Sequence, residues 1–112
     1  MVCDQPPANG GADAGMNPPE FLLVSLGTCA GFYAAQYQKT RALSAEGLEI
    51  KVSAEKAMQP PRLGSFRIEV FAPGLDERHE DGILRAVKAC FVHNTLLNAP
   101  IIETVLHTGV PA

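Results

Sequence analysis

The segment from Asn17 to Thr40 most constrains what this chain can fold into. Asn17-Pro18-Pro19-Glu20 places a capping side chain, a proline where a helix has no use for an N–H, and a glutamate able to reach back to the cap in helix-starting order, a capping-box arrangement. The residues that follow, Phe21, Leu22, Leu23, Val24, Leu26, Cys29, Phe32 and Tyr33, are apolar almost all the way round a helix. The spacing therefore predicts a central helix over about Pro18 to Thr40, covered on several sides. Gly27 and Gly31 lie on one stripe of it, and each costs about 1 kcal/mol relative to alanine in an exposed helix. A close approach there is expected, from a second helix that a partner subunit could supply.

The same stretch is too short and too often interrupted, by Ser25, Gly27, Thr28, Gly31 and Gln36, to read as a membrane span. No basic region precedes it, so it does not read as a signal peptide either, and a cytoplasmic location follows as the default. With 112 residues the chain is expected to be one domain, 1–112. Its formal charge of −3 offers no basic surface to neutralise phosphate, which argues against nucleic acid as a partner. Residues 1–16, with Pro6-Pro7, Gly10-Gly11 and Gly15, read as an extended, irregular arm.

Downstream the periodicity changes. Leu48, Ile50, Val52 and Ala54 alternate with Glu49, Lys51, Ser53 and Glu55, a half-buried strand. Phe66 to Ala72 repeats the pattern, with Phe66, Ile68, Val70 and Ala72 inward. Pro60-Pro61 and Gly64 make the connection between them, so the two strands are expected to pair as an antiparallel hairpin. Asp76 can cap a second helix in which Ile83, Val87 and Cys90 share one face. Asn98 and Pro100 end it, and Ile101 to Leu106 reads as a final strand. The expected class is α+β: a small antiparallel sheet with a long central helix and a second helix. Such a sheet cannot cover the first helix, and dimerisation is the simplest remedy.

Three cysteines without close spacing do not form a secreted disulfide framework. Cys29 and Cys90 on buried helix faces have a plain reading as small apolar residues. The segments Asp4-Gln5-Pro6-Pro7, Gly10-Gly11, Asn17-Pro18-Pro19-Glu20 and Leu26-Gly27-Thr28-Cys29, followed by Cys90-Phe91-Val92-His93-Asn94-Thr95-Leu96, give them another. In order and spacing they resemble the two halves of the OsmC/Ohr superfamily pattern. The resemblance implies an intertwined homodimer with sites at the subunit interface. It also implies that Cys29 attacks an organic or hydrogen peroxide and that Cys90 resolves the sulfenic acid as a disulfide. Electrons come from an external dithiol reductant and no cofactor is bound; neither a GxGxxG segment nor a P-loop occurs.

That chemistry requires a thiolate, hence a cationic neighbour, and a second thiol within reach. The superfamily's activating arginine lies on a strand near the N-terminus, and this chain begins after the matching segment. None of Arg41, Arg62, Arg67, Arg78 or Arg85 takes its place. The hydroperoxidase glutamate falls at Pro19, one position from Glu20, which is already explained as a helix cap. The missing arginine sets a rival reading beside the peroxidase: a non-catalytic dimeric domain that binds a small apolar ligand or serves assembly. His93 is expected to cap the second helix or to support Cys90. With Cys90 it makes only half a zinc site, so no metal is expected. His79 and His107 read as solvent-exposed. Lys56, Arg62 and Arg67, in or beside the hairpin connection, read as solvated surface or as a basic loop reaching a neighbouring site.

Overall fold

A computed structural model describes residues 1–109. Helix α1 spans Pro18–Thr40, the range expected from its caps. Asn17 Oδ1 accepts from the Glu20 N–H and Glu20 Oε1 accepts from the Asn17 N–H, both at 3.0 Å, so the capping box is fully formed. Leu26, Ala30, Ala34 and Gln38, spaced four apart, are its buried stripe. The small alanines let neighbouring elements approach closely. At the far end the buried Gln38 side chain donates to the Ser44 carbonyl at 3.2 Å and holds the turn that follows.

Strands β1 (Glu49–Ala57) and β2 (Arg62–Phe71) form the antiparallel hairpin. Their inward residues face one another in register: Ile50 opposite Val70, Val52 opposite Ile68, Ala54 opposite Phe66. β2 begins four residues before the expected Phe66, because Gly64 does not break the ladder. The register shifts between Glu55 and Lys56, whose partners are Ser65 and Leu63, so Gly64 is the extra residue of a bulge. A Cβ there would lie 2.6 Å from that of Ala57, and glycine is what lets the strand continue.

Gly27 and Gly31 correct a second expectation. Among the described residues of the chain it is β1, not a second helix, that approaches them. A Cβ on Gly27 would meet Val52 Cγ2 at 3.1 Å and one on Gly31 would meet Ile50 Cγ1 at 3.4 Å. The close approach is real, but it is sheet on helix within one chain.

The second helix is three pieces. Asp76 Oδ1 accepts from the Arg78 N–H and caps a short 3₁₀ turn, Glu77–His79, that runs into α2 (Glu80–Lys88). At Cys90 the backbone swings to an extended conformation and restarts as α3 (Phe91–Leu97). Cys90 is therefore not helix-borne as expected. Its N–H still bonds to the Val87 carbonyl at 3.1 Å and its own carbonyl opens α3 by accepting from the Asn94 N–H at 3.0 Å. Without glycine or proline at the join, apolar periodicity runs straight through it.

The core is Ala30 and Ala34 of α1 against Ile83 and Val87 of α2, enclosed by Tyr37, Leu48, Ile50, Ile68 and Val70. The sheet is two-stranded, with α1 and α2 packed together beside it, so the α+β class holds. The expected final strand at Ile101–Leu106 is absent: these residues are neither helix nor strand, and Ile101 is 98% exposed. An extended segment becomes a strand only by pairing with another, and nothing among the described residues offers it one. The arm is more ordered than its composition suggests. Asp4 accepts from the N–H groups of Gln5, Ala12 and Ala14 at 2.8 to 3.0 Å, and Cys3 bridges to Met16.

Candidate functional site

Cys29, midway along α1, is half-buried; Cys90, between α2 and α3, is fully buried, and both are free thiols. α1 brings Cys29 to the break between α2 and α3, where it meets the Cys90 thiol and the N–H groups of Phe91 and Val92 at the start of α3. Burial raises the Cys29 pKa. The hydrogen bond from Cys90 and those from the Val92 and Phe91 N–H groups outweigh it, so Cys29 lies below the ordinary thiol value. Cys90 moves the other way. Burial is the larger cause, and its role as hydrogen-bond donor to Cys29 adds to it, with the His93 and Val92 N–H groups opposing.

Among the described residues, the groups that favour the Cys29 thiolate are the second thiol and backbone N–H groups, and no lysine or arginine is among them. The break at Cys90 creates this: had α2 run on unbroken, the N–H groups of residues 91 and 92 would be spent on carbonyls one turn earlier.

The supporting residues divide. Glu20 remains exposed at the start of α1, committed to its cap, and nine residues of helix separate it from Cys29 by about 13 Å of axial rise. His93 stands beside the pair. Its Nδ1 is buried with no hydrogen-bond partner. It lines a cavity of about 440 Å³ with Leu26, Phe66, Ile68, Leu96 and Leu97. Sequence reasoning missed that cavity, because three elements separated along the chain, α1, β2 and α3, close it together. His79, expected in solvent, is half-buried with Nδ1 3.0 Å from the Tyr37 hydroxyl; His107 is exposed as expected. Arg67 pairs with Glu69 on its own strand at 2.8 Å. Arg62 donates to the carbonyls of Met58 and Pro60 and closes the hairpin tip. Among the described residues no helix is long and apolar enough to cross a membrane, and no three His, Cys, Asp or Glu side chains converge to hold a metal.

A long helix against a two-stranded antiparallel hairpin, with a second helix broken at Cys90, places the chain among the α+β proteins. The sequence profile of the OsmC-like proteins matches residues 10–105, and the chain belongs to that family. Solved structures share the fold. One, from Psychrobacter arcticus, is described as an osmotic stress induced and detoxification response protein; it is 21% identical with a TM-score of 0.77, over 85% of this chain and 70% of that one. Another is an organic hydroperoxide resistance protein OsmC from Legionella pneumophila, 15% identical with a TM-score of 0.60, over 83% of this chain and 70% of that one. No curated protein sequence matches the chain.

Proposed function

We propose that this OsmC-like protein is a thiol-dependent peroxidase that reduces organic hydroperoxides in an oxidative stress response. What supports the reading is the placement of two free thiols, Cys29 on α1 and Cys90 at the break between α2 and α3, in surroundings that favour the thiolate at Cys29 and disfavour it at Cys90. The more acidic thiol is the nucleophile and the other stays protonated until needed. The Cys29 thiolate attacks one peroxide oxygen, the O–O bond breaks, and the departing oxygen takes a proton to leave as an alcohol. Cys29 is now a sulfenic acid. Cys90 condenses with it, releasing water and forming a disulfide, which an external dithiol reduces in a reducing compartment such as the cytoplasm. His93 supports the pair from the cavity side; Glu20 is a helix cap and not part of the chemistry.

Cys29 thiol loss on addition of a slight excess of cumene hydroperoxide tests this. Wild type loses its Cys29 and Cys90 thiols together and consumes peroxide; Cys29→Ser does neither; Cys90→Ser accumulates sulfenic acid. Wild type no faster than Cys29→Ser would overturn the reading. The apolar cavity beside the pair favours a second reading, binding of a small apolar ligand without chemistry, and that outcome would select it.

A homodimer is part of the proposal. The radius of gyration is 18.1 Å, against about 13 Å for a compact domain of this length. Ile101, Ile102, Val105 and Leu106 on the C-terminal segment and Phe32 on α1 are all exposed. A second copy pairing with that segment and covering α1 accounts for both. Light scattering in dilute solution is expected to show a dimer; a well-folded monomer at micromolar concentration refutes it.

A further inference from the structure

Away from the thiol pair, α1 and α2 leave a groove of about 440 Å³ between them, lined by Tyr33, Gln36, Tyr37, Arg41, Gly82 and Arg85. Its floor is built to one shape. Gly82 lies inside α2, where glycine costs about 1 kcal/mol relative to alanine. A Cβ there would overlap the Tyr37 hydroxyl and come within 2.7 Å of its ring carbon Cζ, so only glycine lets that ring lie against α2. The Tyr37 hydroxyl is pinned by His79 Nδ1 at 3.0 Å, and the Arg41 guanidinium stacks 3.7 Å from the Tyr37 ring centre.

The charges are the second observation. The chain has five arginines and a formal charge of −3, so two guanidinium groups on one groove do not follow from general basicity. Arg67 and Arg78 are ion-paired to Glu69 and Asp76, and Arg62 is held by carbonyls at the hairpin tip. Arg41 commits one nitrogen, Nη1, to the Tyr37 carbonyl and the Thr40 hydroxyl, which leaves Nη2 and Nε open. Arg85 makes no hydrogen bond or ion pair among the described residues, although Asp81 stands one turn before it. Two guanidinium donors, one of them stacked and pre-oriented, over an aromatic floor are complementary to an oxyanion attached to something apolar. The carbonyl end of α1 opposes an anion here, and Arg41 offsets it by bonding to one of those carbonyls.

We propose that this groove binds a small organic anion, a carboxylate or phosphate head on a short apolar body, through Arg41 and Arg85. The apolar body lies on Tyr33, because Arg41 already covers the Tyr37 ring. The site is independent of the peroxidase reading and stands or falls separately from it.

Tyr33 and Tyr37 are the only tyrosines and the chain has no tryptophan, so intrinsic fluorescence reports on this groove alone. Butyl phosphate, which does not absorb at the wavelengths used, is titrated into the full chain, with inorganic phosphate and butanol in parallel. Saturable change is expected for butyl phosphate, weaker for inorganic phosphate and absent for butanol, and it weakens with added salt. Arg85→Gln breaks no intramolecular bond and is expected to raise Kd by about tenfold or more, as is Arg41→Gln. Lys51→Gln, on the exposed face of β1, leaves Kd unchanged. Absence of saturable change, or equal affinity in wild type, Arg85→Gln and Arg41→Gln, overturns the proposal.

Discussion

The two halves of α1 live in different surroundings. From Ala30 onward one face of the helix is seated, with Ala30 and Ala34 fully buried against Ile83 and Val87 and Gln38 locked into the turn beyond, while Phe32 on the other side stays exposed. Up to Cys29 it is half-finished. Leu26 is buried there, but Leu22 and Val24 face outward and the adjoining α3 leaves Phe91 and Leu97 exposed. The seated half is a stability device and the open half carries Cys29, which Cys90 meets from the join of α2 and α3. A reactive site needs access and a partner surface, whereas a core needs neither, so one helix serves both by changing what covers it along its length.

The contrast is sharpest in large-to-small substitutions. Ile83→Ala empties part of a closed core and is expected to cost about 3 kcal/mol in urea unfolding. Leu97→Ala, 71% exposed, should cost less than about 0.5 kcal/mol if the chain acts alone. A cost at Leu97 approaching that at Ile83, and dependent on protein concentration, would show that a second copy completes the open half.

Next in size are the glycines, which separate a rigid contact from a yielding one. Gly82→Ala drives a methyl into the Tyr37 ring, which His79 holds in place, and is expected to destabilise by about 1–2 kcal/mol despite the better helix propensity. Gly31→Ala meets only Ile50 Cγ1 at ordinary contact distance and should stabilise by about 0.5–1 kcal/mol. Gly31→Leu reverses that sign by overpacking α1 against β1. The reverse order in thermal melts would mean that α2, and not β1, is the yielding neighbour.

Within the thiol pair the comparison is one of acidity. In a Cys3→Ser background, the pH midpoint of Cys29 alkylation by iodoacetamide should lie below that of a free thiol, because hydrogen bonds from Cys90 and the Val92 and Phe91 N–H groups favour the thiolate. Cys90→Ala removes the first-named of these donors and should move the midpoint upward. An unmoved midpoint would leave the backbone of α3 as the whole cause.

How much of this was legible beforehand follows the range of the interactions. The start of α1 and the pairing face of the hairpin rest on contacts between residues close in sequence, and capping chemistry and alternation report those directly. The break at Cys90 left no local mark: Ile83, Val87 and Cys90 keep helical spacing across it, and neither glycine nor proline stands where the backbone turns extended. The backbone donors to Cys29 were invisible for the same reason, since that break releases them, and they act beside the Cys90 thiol. The OsmC-like resemblance could name the two cysteines but not what surrounds them. The Gly27–Gly31 stripe signalled a close approach, expected from a second helix and made within the chain by β1, whereas Gly64 read as part of the connection and lies at a bulge inside the ladder.

The smallest expected effect concerns the arm, where sequence and structure differ most in kind. Composition marks residues 1–16 as irregular, yet one carboxylate ties three N–H groups together. Hydrogen bonds from Ala14, Gln5 and Ala12 hold Asp4 below the ordinary carboxylate value, with burial a minor opposing cause. A group whose folded pKa is depressed contributes stability that is fully present above its unfolded pKa and is lost as pH falls through the folded one. The clasp should therefore be closed at neutral pH and open only in acid. Hydrogen exchange at Ala12 and Ala14 measures it: protection at neutral pH should fall toward that of Asp4→Asn as the solution is acidified, while amides of α1 beyond Ala30 stay protected. Equal protection in wild type and Asp4→Asn at neutral pH would show that Cys3–Met16 pairing, not the carboxylate, folds the arm.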